Sequence, residues 1–139
     1  MDLLIDIGNT SAKIAVAEPI RDSNQSSEVG IVHFERLSEP WRVAFARLRN
    51  IFGLSSVRIS SVAGEDVELN AALEEMGVPI IRLTAEVPCP VKPVQNVPKT
   101  LGADRWAADI GALSQDPNST LLVIDAGTCL TYDVISREG

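Results

Sequence analysis

Two stretches near opposite ends of the chain share one pattern, and this repetition constrains the fold more than any other feature. The first runs Met1-Asp-Leu-Leu-Ile-Asp6-Ile7-Gly8-Asn9-Thr10-Ser11-Ala12-Lys13-Ile-Ala-Val16. The second runs Leu121-Leu-Val-Ile-Asp125-Ala-Gly127-Thr128-Cys-Leu-Thr131-Tyr-Asp-Val134. Each reads as an apolar strand, an aspartate, a glycine two residues on, a threonine close behind, and a second strand. The two aspartates stand 119 residues apart, about the length of one domain. A duplication of this kind suggests two similar lobes, each offering a hairpin to a shared cleft.

The hairpin has a chemical reading. An aspartate inside a buried strand is costly unless a cation or hydrogen bonds compensate it. Gly8 and Asn9 permit positive φ, and such turns can aim successive N–H groups at an anion. Thr10 adds a hydroxyl. A carboxylate for a metal ion, amides for phosphate and a hydroxyl between them suit a nucleotide-phosphate loop. On one copy alone an ordinary hairpin with an edge aspartate competes evenly; the second copy tips the balance.

The 139 residues have room for one domain and the start of another. A net charge of −7 argues against a sequence-independent grip on nucleic acid. It leaves an anionic substrate open, since a local cationic cluster suffices. No apolar run approaches a membrane span, and the N-terminus lacks the basic start of a signal peptide. Cys89 and Cys129 form no C-x-x-C pair. A cytoplasmic protein with no membrane or nucleic-acid partner is expected.

Between the hairpins the period changes several times. Val29–Arg36 alternates as a third strand; it contains His33, the only histidine, read as structural or exposed. Trp41, Ala44, Phe45, Leu48, Ile51 and Phe52 form one helical face, opened by Pro40 and closed by Gly53. Arg42, Arg47 and Arg49 lie off that face, as a solvated surface. Val57–Val62 is a strand, Asp66 caps a helix running to Met76 with Gly77 at its end, and Val78–Leu83 is another strand. Pro88, Pro90, Pro93 and Pro98 keep the next segment extended. A helix then starts near Asp104 and Arg105, with Trp106, Ala107, Ile110 and Leu113 on one face. The positive end of a helix favours Asp104 and disfavours Arg105. Arg105 thus lacks a structural reason to be there, and a bidentate contact with a ligand carboxylate would supply one.

The expected class is α/β, a mixed sheet in the order β-β-β-α-β-α-β-α followed by a further hairpin. The expected boundaries are a lobe over 1–118 and the first hairpin of a second lobe over 119–139.

Three blocks together, Asp6–Lys13, Gly102-Ala103-Asp104-Arg105 and Asp125-Ala-Gly-Thr128, resemble type III pantothenate kinase, a family of the actin-like ATPase (ribonuclease H-like) superfamily. The resemblance runs through the whole chain and corresponds to the N-terminal lobe and the start of the second. It implies a transferase that phosphorylates pantothenate with ATP and Mg²⁺, the first step toward coenzyme A. Asp6, Ile7, Gly8, Asn9, Thr10, Ser11, Ala12 and Lys13 would bind ATP phosphates, with Asp6 near Mg²⁺ directly or through water. Thr128 would touch ATP, and Asp125 would help hold a monovalent cation, K⁺ or NH₄⁺. Gly102, Ala103, Asp104 and Arg105 would bind pantothenate, with Asp104 as proton acceptor. Gln95 stands where the family often has tyrosine on the pantothenate side. A homodimer is the expected assembly.

Three rival readings differ in kind. A non-catalytic accessory relative would not need Asp104. Another small-molecule kinase of the superfamily, acting on a sugar or on acetate, would not need the Gly-Ala-Asp-Arg block at a helix start. A structural module would not need a duplicated aspartate.

Overall fold

The structure, a computed structural model, describes residues 1–19, 30–84, 87 and 101–136. The chain divides into two compact units, Met1–Arg82 and Leu83–Gly139.

The first unit contains β1 (Asp2–Ile7), β2 (Ala12–Ala17), β3 (Ile31–Arg36), α1 (Trp41–Phe52), β4 (Ser56–Ser61), α2 (Val67–Met76) and β5 (Ile80–Arg82). Its strands make one five-stranded sheet in the order β3-β2-β1-β4-β5. The β1–β2 and β2–β3 pairs are antiparallel, whereas β1–β4 and β4–β5 are parallel. This is the mixed α/β arrangement expected of an actin-like lobe.

The core follows from the period-2 pattern of the strands. Leu3, Ile5, Ile14, Val16, Val57 and Ile59 are all buried on one face of the sheet. Trp41, Ala44, Phe45 and Leu48 of α1 and Leu69, Ala72, Leu73 and Met76 of α2 close over them. Full burial of each Leu, Ile or Phe contributes about 1.5–3 kcal/mol, so this stripe-on-sheet packing dominates the unit's stability. Gly53 and Gly77 both take φ 62°, the left-handed stop that a side chain would resist. Asp66 caps α2, its carboxylate accepting from the Leu69 N–H at 3.0 Å.

Several expectations need correction. Ile51 is 62% exposed, because Phe52 takes the place over β3, its ring 5.5 Å from that of His33. The arginines of α1 are not merely solvated. Arg42 donates to Glu75 on α2, Arg47 to Glu35 and Glu39, and Arg49 to the Met76 carbonyl. They tie α1 to its neighbours. Neither Gly8 nor Asn9 adopts positive φ; among the described residues only Gly53 and Gly77 do.

The second unit contains α3 (Ala103–Gln115), β6 (Leu121–Ala126) and β7 (Leu130–Ile135). β6 and β7 pair antiparallel as a two-stranded sheet, and α3 packs against both. The compact units part at Arg82/Leu83, with α3 in the same unit as the hairpin. One hairpin face carries Leu122, Ile124, Leu130, Tyr132 and Val134, all exposed. The other carries Val123, Asp125, Thr131 and Asp133 in cross-strand register. No described helix is long and apolar enough to cross a membrane.

Candidate functional site

The two hairpins repeat in three dimensions what they repeat in sequence. Asp6 is the penultimate residue of β1 and Asp125 the penultimate residue of β6. In each case glycine opens the loop and its N–H donates to the carbonyl of the loop's last residue. Gly8 donates to Ser11 at 3.0 Å and Gly127 to Cys129 at 3.1 Å. A Cβ on Gly8 would meet only the Ser11 carbonyl, at an ordinary 3.5 Å. The space around position 8 therefore does not by itself demand glycine. Asn9, Thr10 and Thr128 are exposed in these loops, and Ile7, Ser11 and Ala12 are half-buried.

The aspartates themselves differ from expectation and from each other. Asp125 is exposed. Asp6 is half-exposed and directly opposite Lys13, whose Nζ lies 3.3 Å from its carboxylate. Lys13 is thus the compensating cation. With side chains 40% and 48% exposed, the pair is worth less than about 1 kcal/mol. Asp125 faces neutral Thr131 instead and has no such cation in register. Ser60 stands beside Asp6 in the parallel register. Its Oγ is buried and has no hydrogen-bond partner among the described residues.

In the second unit Gly102 precedes α3, Ala103 begins it, and Asp104 and Arg105 fall in its first turn. Asp104 Oδ1 accepts from the Arg105 N–H at 2.8 Å, the expected use of a carboxylate at a helix start. Arg105 corrects the sequence reading, because it has a structural partner. Its Nε donates to Asp133 Oδ2 of β7 at 2.9 Å, its Nη2 donates to Asp133 Oδ1, and Nη2 also lies 3.4 Å from the Tyr132 carbonyl. This fork holds the guanidinium firmly charged, Asp133 being the main cause. Gln95 lies outside the described residues.

Two residues of this cluster were missed from sequence, Asp133 and Asp109. Asp109 stands one turn after Arg105 on α3, and its Oδ1 is buried with no hydrogen-bond partner among the described residues. Burial, then the nearby Asp133 charge, push its carboxyl up to about 6, against the opposing pull of Arg105. Two signals pointed to them: the i, i+4 spacing from Arg105 to Asp109, and the polar alternation of Thr131 and Asp133 on an otherwise apolar strand.

Metal fit can be judged from the donors. Among the described residues no group of three or more His, Cys, Asp or Glu side chains could hold a metal ion. Single carboxylates such as Asp6 and Asp125 fit a cation whose other ligands are phosphate oxygens and water, the usual habit of Mg²⁺.

Comparison with known proteins gives this geometry a family. The sequence profile described as type III pantothenate kinase matches residues 2–139. A type III pantothenate kinase of Bacteroides fragilis is 35% identical over 145 residues, covering 100% of this chain and 54% of the relative. One from Porphyromonas gingivalis is 36% identical, covering 99% and 52% respectively. One from Flavobacterium johnsoniae is 37% identical, covering 99% and 53%. The chain spans about half the length of the curated relatives it matches. With the profile spanning residues 2–139 and a relative of 35% identity covering the whole chain, the chain belongs to the type III pantothenate kinase family.

Proposed function

We propose that the whole protein transfers the γ-phosphoryl group of ATP to the hydroxyl of pantothenate, giving 4'-phosphopantothenate and ADP. The observation that carries this reading is the start of α3, where a carboxylate and a fork-held guanidinium are fixed side by side. An accessory protein would not need that carboxylate as a proton acceptor. The bond from the pantothenate oxygen to phosphorus forms as the bond from the β–γ bridging oxygen to phosphorus breaks. The hydroxyl proton passes to Asp104, and ADP leaves with the bridging oxygen. Phosphoryl transfer runs through a loose transition state, so orientation of the hydroxyl and neutralisation of phosphate charge dominate.

Each unit contributes its own part. In the first, Asp6 to Lys13 bind ATP phosphates, with Lys13 exchanging its weak contact with Asp6 for phosphate oxygen. In the second, Thr128 contacts ATP and Gly102 to Arg105 bind pantothenate. Asp6 is the candidate to hold Mg²⁺, directly or through water. Asp125, opposite a hydroxyl rather than an ammonium, is the better candidate for K⁺ or NH₄⁺. These ions would supply charge neutralisation on the phosphates. The lobe boundary near 118/119, a cytoplasmic setting and a homodimer belong to the same proposal.

Asp104→Asn tests it. In the whole protein this change removes the proton acceptor but retains the acceptor oxygen for the Arg105 N–H. Expected is a loss of kcat of about 10²-fold or more, with an unchanged circular-dichroism spectrum. Near-normal pantothenate turnover would remove Asp104 from the mechanism.

A further inference from the structure

We propose that Asp133 and Asp109 are positioning residues for Arg105. Asp133 grips the guanidinium along its Nε–Nη2 edge and turns Nη1 toward the substrate carboxylate, and Asp109 weakens that hold on the substrate when it ionises. The inference rests on the assignment of Arg105 to pantothenate and deepens it.

The geometry is specific. A guanidinium has five N–H donors in a rigid fork. The described contacts of Arg105 use Nε and Nη2, on Asp133 and the Tyr132 carbonyl, and none uses Nη1. The side-on edge, best suited to a carboxylate, is therefore occupied by β7. A ligand carboxylate is left the Nη1 end, and it can gain a second bond by taking the place of the long 3.4 Å contact to Tyr132. A guanidinium pinned along one edge loses little further freedom when substrate binds, and that preorganisation appears as affinity.

Asp109 adds a second control. It is one turn from Arg105, and its Oδ1 is buried with no hydrogen-bond partner among the described residues. The charged groups bearing on it are Arg105 from its own helix and Asp133 from β7. On β6 the single charged residue is Asp125, which is exposed. Protonated, Asp109 leaves Arg105 with two neutralising carboxylates, Asp133 and Asp104. Ionised, it adds a third, and a substrate carboxylate then meets a less positive site. Burial and Asp133 put this change near pH 6, so the site is built to weaken as pH rises through that value.

The test uses the whole protein and steady-state kinetics for each substrate. Asp133→Asn should raise KM for pantothenate by about tenfold, the loss expected when a charged hydrogen bond is removed, with KM for ATP changed less than twofold. Asp133→Glu should recover part of the loss. Asp109→Asn should match wild type at pH 5.5. By pH 7.5 its KM for pantothenate should be lower than wild type by about fivefold, the upper end for a partly exposed charge pair. Carboxyl ¹³C NMR, which needs no substrate, should show Asp109 titrating near pH 6 and moving to lower pH in Asp133→Asn. Equal rises in both KM values for folded Asp133→Asn, or a constant wild-type to Asp109→Asn ratio across pH, would overturn the proposal. If Arg105→Lys also leaves KM for pantothenate unchanged, the substrate assignment itself falls. A normal Arg105→Lys effect with silent Asp133 and Asp109 variants sinks this inference alone.

Discussion

Asp109 shows how one carboxylate can work against the fold that holds it. Its folded-state value of about 6 lies above the roughly 3.9 of an unfolded aspartate. Between those limits the folded chain binds more protons than the unfolded chain, so this group's contribution to stability falls as pH rises from about 4 to about 6. Asp66 and Glu35 act in the opposite sense. The Leu69 N–H and then the Trp41 indole hold Asp66 below the usual carboxylate range. Burial pushes Glu35 up, but Arg47 and His33 outweigh it and hold the group low. Both therefore lose stability as pH falls. Comparing Asp109→Asn with wild type cancels those two. Melts of the whole protein at pH 4 and pH 7 should show the variant gaining on wild type by a few degrees at the higher pH, about 1 kcal/mol for a partly exposed group. Parallel melting curves at both pH values would contradict this account.

Elements in the first unit were legible because local chemistry and burial agree. The start of α2 is an example: Asp66 caps the Leu69 N–H at 3.0 Å and also accepts from Trp41 Nε1 of α1 at 2.9 Å. One side chain thus closes one helix and ties it to another. Asp66→Ala should cost about 1–2 kcal/mol for the cap, with about 1 kcal/mol more for the stranded indole. Asp66→Asn, which keeps the acceptor oxygen, should cost less than half as much; urea unfolding would measure both, and equal costs would remove the cap from the explanation. The period-2 and 3.6-residue patterns placed β1 to β5, α1 and α2, and the motif residues Asp6, Asp104 with Arg105, and Asp125 lie at the end of β1, in the first turn of α3 and at the end of β6. Hidden were the pairings made by register and packing. That Lys13 sits opposite Asp6, that Arg47 reaches Glu35, and that β7 supplies Asp133 to Arg105 are facts of strand alignment and helix docking, on which a linear pattern is silent. The buried-aspartate expectation failed for the same reason, since exposure at a strand's penultimate residue depends on what covers the sheet end.

At the scale of the whole molecule, the β6–β7 hairpin raises a problem of cover. Its inner face meets α3, while Leu122, Ile124, Leu130, Tyr132 and Val134 on the other face are between 54% and 72% exposed. Among the described residues this two-stranded sheet has an open apolar face and no further strand at either edge, an arrangement that is marginal in water and invites pairing. The curated relatives are about twice as long as this chain, and in a polypeptide of these 139 residues alone nothing described covers that face. Kinase action also needs groups that exclude water and hold both substrates as the phosphoryl group moves. Such a polypeptide should therefore self-associate and turn over pantothenate slowly or not at all, although Asp6, Asp104, Arg105 and Asp125 are all present. Val134→Lys, at the most exposed of the five positions, should reduce the association without restoring activity. Light scattering on a sizing column, run beside a coupled ATP assay, measures both properties. A monomer at micromolar concentration that phosphorylates pantothenate at a rate typical of kinases, about 1–100 per second, would refute the argument. These 139 residues would then suffice for the reaction.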